Sequence, residues 1–294
     1  MIRLVGILVG LFLVGCVLLW SFVPGAYTAA TEDAPETADA VFHVEAREVH
    51  FQHDGMFGTW DLAQLQRGYK VYKEVCSACH SLELVAFRDL ADLGYSEGQI
   101  KAEAATWQVP GVDPTTGEPT TVPGTPTDYF PSPYANEVAA SAANGGKVPP
   151  DLSLITKARH HGTAYVHSLL TGYRDPATFS LSNGERLMEE FPDFDSPPGT
   201  YFNPYFAALN IGMTPPLVAD GQVTYDDGTN ATIEQMSTDV AAFLTWTAEP
   251  TLVKRKQTGW PVLGFLLFAT VLAWFAKKQV WSDAKPVKRK KVSD

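Results

Sequence analysis

The chain has 294 residues, 45% of them hydrophobic, with three cysteines and a formal net charge of -11. That length suits one large domain or two small ones with a packed core, and one of the three cysteines lies in an apolar run, so a disulfide-stapled scaffold is excluded. The charge is unevenly placed: residues 31 to 253 carry 31 Asp and Glu against 11 Lys and Arg, whereas seven basic residues fall between positions 277 and 291. A body this acidic repels nucleic acid and attracts a basic protein, and salt weakens that attraction.

The first predicted element is the apolar run LVGILVGLFLVGCVLLWSFV, residues 4 to 23, preceded by Arg3 and ended by Pro24 and Gly25. A run of this length spans a bilayer. It also fits a secretory signal, with TAA at 28 to 30 as the small-residue cleavage site, and both readings stand. LVGC, ending at Cys16, resembles a lipoprotein box, but the apolar VLLWSF after it opposes that reading. Residues 31 to 41 are acidic and poor in large apolar groups, and read as a linker.

The body reads as mostly helical with long loops. DLAQLQRGYKVYKEV places Leu62, Leu65, Tyr69 and Tyr72 on one helical face and runs directly into VCSACHSL, residues 75 to 82. SEGQIKAEAATW is a second helix with Ser96 as its cap. Seven prolines between 109 and 133 mark a long loop, a feature that tends to be functional in compact domains. TKARHHGTAYVHSLLTGY reads as one further helix ending near Gly172. TIEQMSTDVAAFLTWTAEP is the last of the body, with Thr232 and Gln235 as a capping box, Val240, Phe243 and Leu244 as its face, and Pro250 as its stop. No strand and no internal repeat is predicted.

A second apolar run covers 259 to 276 and reaches about 27 Å at ~1.5 Å per residue, just enough to span. Trp260, Trp274 and Trp281 sit where interfacial aromatics belong. Three basic residues precede the run and seven follow it, which puts the C-terminus in the cytoplasm and the body outside; Arg3 ahead of the first run gives the same orientation. The chain therefore divides into 1–30 (signal peptide or N-terminal anchor), 31–253 (an exported body), 254–278 (a C-terminal anchor) and 279–294 (a basic cytoplasmic tail).

Cys76, Cys79 and His80 form a Cys-x-x-Cys-His run with three chemical readings. In covalent haem attachment, each thiol adds to a vinyl group and the adjacent imidazole ligates the iron. A thioredoxin-like redox pair needs a strand before the motif, and here an amphipathic helix precedes it. Half of a zinc site needs two more ligands of matching spacing, and the body has no further cysteine. Haem is the reading the context favours. The sixth iron position then takes a side chain or stays open for a small ligand. Met56, Met188, Met213 and Met236, and His43, His50, His53, His160, His161 and His167, are available. Met213 stands apart, because Gly212, Pro215 and Pro216 hold it on a stiff loop; ligation and plain loop packing both remain open for it on spacing alone.

The segments RGYKVYKEVCSACHSL, AANGGKVPPDLSLITKARHHGTAYVHSLLTGY, YFNPYFAALNIGMTPPL and DDGTNATIEQMSTDVAAFLTWTAEP resemble the cytochrome c1 family, the haem subunit of the quinol:cytochrome c oxidoreductase (cytochrome bc1) complex. CxxCH is common to all c-type cytochromes; PPDLS, SLLTGY and FNPYF with IGMTPP are far more specific. The resemblance implies a mostly α, c-type cytochrome domain with long loops and a C-terminal transmembrane helix. It implies one covalently attached haem c on Cys76 and Cys79, with His80 and Met213 as iron ligands and Arg159 paired with a propionate. Tyr165, Asn144 and Pro150 would line the crevice. The implied task is passage of single electrons from a Rieske iron–sulfur protein to a basic cytochrome c, beside a cytochrome b subunit in a dimeric complex, with the haem domain in the periplasm of a bacterial inner membrane. The chain alone would make no bond to substrate. A free-standing anchored shuttle is the alternative, and an open-site enzyme or gas sensor a third. The acidic runs at 189 to 195 and 226 to 227 are candidates for steering the acceptor. ERLMEEFPDFDSPPGT, residues 185 to 200, is an insertion relative to the shorter mitochondrial form, and the disulfide that braces this region in some bacterial relatives has no counterpart here.

Overall fold

The computed structural model describes residues 2–31 and 37–282. The basic tail from 283 onward lies outside these residues, and so does much of the proposed linker.

Two helices are long and apolar enough to cross a membrane: α1 (Ile2–Thr31) and α10 (Leu252–Val280). The helix α1 continues through Pro24 and Gly25, where the sequence suggested a stop. The body between them is mostly helical. Residues 38 to 42, assigned above to the linker, instead form a short helix α2 (Ala38–Phe42) whose Phe42 is fully buried.

The principal core is the crossing of α3 (Leu62–Glu74) with α9 (Ile233–Ala248). Asp61 caps α3 by accepting from the Gln64 amide, and Leu65, Tyr69, Val71 and Tyr72 turn inward, as their three- and four-residue spacing predicts. Leu62, the first of the predicted stripe, stays exposed at the helix's outer end. The helices meet at Gly68: a Cβ there would lie 2.1 Å from the Asp239 carbonyl oxygen, so only glycine permits the approach. Phe243, Trp246 and Met236 of α9 fill the other side. Arg67 locks the pair, donating Nε to Asp239 Oδ2 (2.9 Å) and Nη1 to Asp227 Oδ2 (2.8 Å). The capping box of α9 is half made. Thr232 accepts from the Gln235 amide, but the Gln235 side chain turns inward to Asp239 (2.9 Å) because that buried carboxylate needs a second donor.

α4 (Glu97–Ala104) carries the full Ser96–Gln99 box. The proline-rich loop contains a hairpin that was not expected: β1 (Gln108–Val112) pairs antiparallel with β2 (Pro119–Pro123). Asp113 forms its turn by accepting the amides of Thr115 and Thr116, and a two-stranded ribbon tolerates prolines because each strand has one unpaired edge. Next comes α5 (Glu137–Ala143). The predicted single helix at 156 to 173 is broken in two, α6 (Ile155–Ala158) and α7 (Gly162–Thr171), at His161, which adopts a left-handed φ of 60°.

A second, smaller core sits apart. The insertion begins with α8 (Leu187–Glu190) and is not a solvent-seeking segment. Leu187 is fully buried with Phe42, Phe202 and Leu209, and Phe179, Phe191 and Phe194 pack around them. Above this cluster β3 (Tyr201–Phe202) pairs with β4 (Asn210–Ile211).

Candidate functional site

The helix α3 delivers its C-terminus to a single 3-10 turn, Cys76–Ala78, so Cys76 and Cys79 lie on one turn as free thiols. Burial, with the neighbouring Cys79 second, pushes the Cys76 thiol up to about 12. A thiol held protonated is the opposite of the activated thiolate of a redox pair. Among the described residues, no three His, Cys, Asp or Glu side chains gather to hold a metal ion, which removes the zinc reading.

His80 is tightly placed. Its Nδ1 lies 2.7 Å from the Pro150 carbonyl oxygen, so the ring proton belongs on Nδ1 and the lone pair on Nε2. Its backbone carbonyl accepts from the buried Tyr72 hydroxyl (3.1 Å), which ties it to the α3–α9 core. Burial lowers the imidazole pKa against the opposing pull of the Pro150 carbonyl and Asp151, favouring the neutral ring that a ligand requires. Asp151 staples the two segments together. One carboxylate oxygen accepts from Ser81 Oγ and the Glu83 amide, both at 2.8 Å, and the other from the Ser153 amide at 2.9 Å. Pro150 thus owes its position to the residue after it.

Met213 follows β4 directly. Before it, the Asn203 amide donates to the Leu209 carbonyl (2.7 Å), and Leu209 is buried in the smaller core with a φ of 58°. After it, Leu217 and Val223 enter the main core. The Tyr173 hydroxyl donates to the Met213 carbonyl (3.1 Å), and the fully buried Asn203 donates its amide to the Leu169 carbonyl on α7 (2.8 Å). Gly212 lets the Lys147 stem pass, since a Cβ there would lie 2.7 Å from Lys147 Cγ.

Arg159 is exposed, in the break between α6 and α7, and stands against Tyr165. Burial raises the Tyr165 phenol's pKa, and the nearby guanidinium pulls it back. Asn144 ends α5, donating its side chain to the Ala140 carbonyl (2.7 Å). The break that separates the predicted helix in two is therefore what frees Arg159 from a helix face. Asp151, Tyr173 and Asn203 were not singled out in the sequence, although each lies inside a segment that carries the resemblance. Of the other candidate sixth ligands, Met236 and His167 are fully buried between helices, and His53 is buried between the rings of Phe51 and Trp60.

The residue pattern of the Cytochrome C1 family matches positions 51 to 284. The chain belongs to the cytochrome c1 family. It is 46% identical over 236 residues to the cytochrome c1 of Rhodospirillum rubrum, covering 79% of this chain and 85% of that one. It is 41% identical over 257 residues to the mitochondrial "Cytochrome c1, heme protein" of Saccharomyces cerevisiae, covering 87% and 77%. It is also 47% identical over 238 residues to the "Cytochrome b/c1" of Bradyrhizobium diazoefficiens, where 78% of this chain matches only 34% of the relative. The chain thus spans about a third of that fused relative and most of the other two.

The residues fit a covalently held haem: two protonated thiols on one turn, and next to them an imidazole with one nitrogen committed to a carbonyl and the other carrying its lone pair. Val148 and Leu154, on either side of Pro150 and Asp151 in the chain, are apolar and exposed.

Proposed function

We propose that this cytochrome c1 family member is a membrane-anchored, mono-haem electron carrier. In this reading it takes single electrons from a Rieske iron–sulfur protein and hands them to a cytochrome c, within a dimeric quinol:cytochrome c oxidoreductase that includes a cytochrome b subunit. Cys76 and Cys79 would hold one haem c, His80 and Met213 its iron, and Arg159 a propionate, with Tyr165, Asn144 and Pro150 lining the crevice. When bound, the haem supplies a one-electron couple, raised in potential by Met/His ligation. The chain's own residues supply placement. Pro150 fixes the ring proton of His80, Asp151 fixes Pro150, and Tyr173 with the smaller core fixes Met213. The body, 31–253, would lie in the periplasm of a bacterial inner membrane, held by α10 and followed by a cytoplasmic tail. Whether residues 1–30 stay as an anchor is read directly by N-terminal sequencing of the mature protein.

The observation that carries this reading is the His80–Pro150 bond at 2.7 Å, which prepares one nitrogen for an axial bond and has no other evident use. The acidic run at 226 to 227 supports steering less than its charge suggests, because Asp226 pairs with Lys70 and Asp227 with Arg67. That leaves 189 to 195 as the candidate surface. The test is extraction in acidified acetone, followed by carbon monoxide titration of the reduced protein. Pigment retained by the polypeptide and an unshifted Soret band are expected; pigment released, or a carbon monoxide complex, overturns the reading. Mild detergent extraction with identification of accompanying subunits distinguishes a complex member from a lone shuttle.

A further inference from the structure

Residues 51 to 59 form a closed loop at the foot of the body. Its neck is fixed by hydrogen bonds: the Phe51 amide donates to Asp54 Oδ2 (2.8 Å), the Asp54 amide to the Phe51 carbonyl (3.0 Å), and the Thr59 amide to the Gln52 carbonyl (3.0 Å). His53 is buried between Phe51 and Trp60, with ring centroids 5.2 and 4.7 Å away. The tip closes on glycine. Gly55 has a φ of +66°, and a Cβ on Gly58 would lie 2.3 Å from the Asp54 carbonyl oxygen. This braced tip displays Met56 at 51% and Phe57 at 81% exposure.

The loop is tied to the start of α10. Lys256 Nζ donates to the carbonyls of His53 (2.8 Å) and Gly55 (2.7 Å), and the Phe57 ring stacks on Trp260 at 6.3 Å and 22°. Trp260 opens the apolar run on the body side, the level at which amphipathic rings meet the headgroups. Phe57 is therefore held at that same level. Lys254, Arg255 and Lys256 precede Trp260 and add the cationic rim that interfacial apolar groups usually carry.

We infer that the 54 to 58 loop is a second, non-spanning membrane contact, with Met56 and Phe57 inserted at the headgroup boundary beside Trp260. The occupant is lipid, because the patch continues directly from the lipid-facing surface of α10. Two contacts fix the tilt of the body on the bilayer, where α10 alone would leave it free to swing. The inference rests on α10 being a membrane span.

The test is nitroxide accessibility in the full-length holoprotein, isolated with its accompanying subunits and placed in nanodiscs of phosphatidylethanolamine and phosphatidylglycerol. In a Cys16→Ser background, separate labels are put at Phe57→Cys and Met56→Cys, at Leu267→Cys within α10, and at Thr115→Cys on the distant hairpin turn. Labels at 56 and 57 are expected to collide with oxygen several-fold more than with a water-soluble nickel chelate, as at 267 and opposite to 115. A lipid signal at 267 with an aqueous one at 56 and 57 overturns the inference while leaving the anchor intact. So does an immobilised label at 56 and 57 shielded from both quenchers, which would mean that a partner subunit covers the loop. An aqueous signal at 267 overturns the anchor itself.

Discussion

Leu187→Ala is the sharpest perturbation of the reading of Met213. Leu187 is fully exposed to neighbours and not to solvent, one of only four buried side chains in the smaller core. Truncating a buried leucine costs about 2–5 kcal/mol in lost transfer energy and residual cavity. Taking about 3 kcal/mol, the equilibrium between docked and released β3–β4 moves roughly a hundredfold. The α3–α9 core has no member in this cluster, so the body stays folded while the loop frees. The expected result is a ferric protein that loses its weak far-red sulfur-to-iron band well below the global melting temperature, and a ferrous protein that binds carbon monoxide. Leu65→Ala, of similar cost in the main core, is the control: it lowers global stability and leaves the band intact until unfolding. If Leu187→Ala retains the band up to a lowered global transition, as Leu65→Ala does, the two cores are one cooperative unit and the argument fails.

Three further outcomes are expected. Arg67→Leu strands Asp239, which is fully buried, and should cost about 3–5 kcal/mol in urea unfolding; adding Asp239→Leu should recover most of it. Asp227 is held down to about 2, first by the Thr229 amide and then by Arg67. Its depressed pKa contributes stability that is complete above the ordinary carboxylate value near ~4 and disappears as pH falls towards about 2, so Asp227→Asn should flatten the acid limb of the stability–pH curve in that window. Asp151→Ala leaves the buried Ser81 hydroxyl and Ser153 amide without their acceptor, at roughly 1–3 kcal/mol each. Because Pro150 then loosens, the midpoint potential should shift as well, whereas a merely structural role would leave potentiometric titration unchanged.

Much of the frame was legible because short-range rules governed it. The Leu65–Tyr69–Tyr72 stripe, the Ser96 box and the Pro250 stop each depend on residues within four positions. What escaped depended on distant partners. Gln235 abandons its capping role because Asp239 and Arg67 compete for it, and Arg67 is 172 positions from Asp239. The 156 to 173 segment has helical periodicity throughout, and nothing local marks the left-handed turn at His161. The insertion looked solvent-seeking because its acids are adjacent in sequence, yet Leu187, Phe191 and Phe194 alternate with them and find Phe42 from the far end of the body. Cys76, Cys79 and His80 were plain from spacing; the role of Pro150 was not, because it is exerted by a backbone carbonyl 70 residues away.

The two proposed iron ligands belong to different structures. His80 is joined through Tyr72 and Asp151 to the helix crossing at Gly68, where close backbone approach leaves no room for adjustment. Met213 is suspended between the smaller core and Leu217 of the main one, with Tyr173 as its cross-tie. A histidine side built on the stiff core and a methionine side built on a small aromatic one make the sulfur the weaker link. The insertion at 185 to 200 then has a physical task. It supplies the apolar mass that lets a four-residue ribbon hold a thioether in place without a covalent tie.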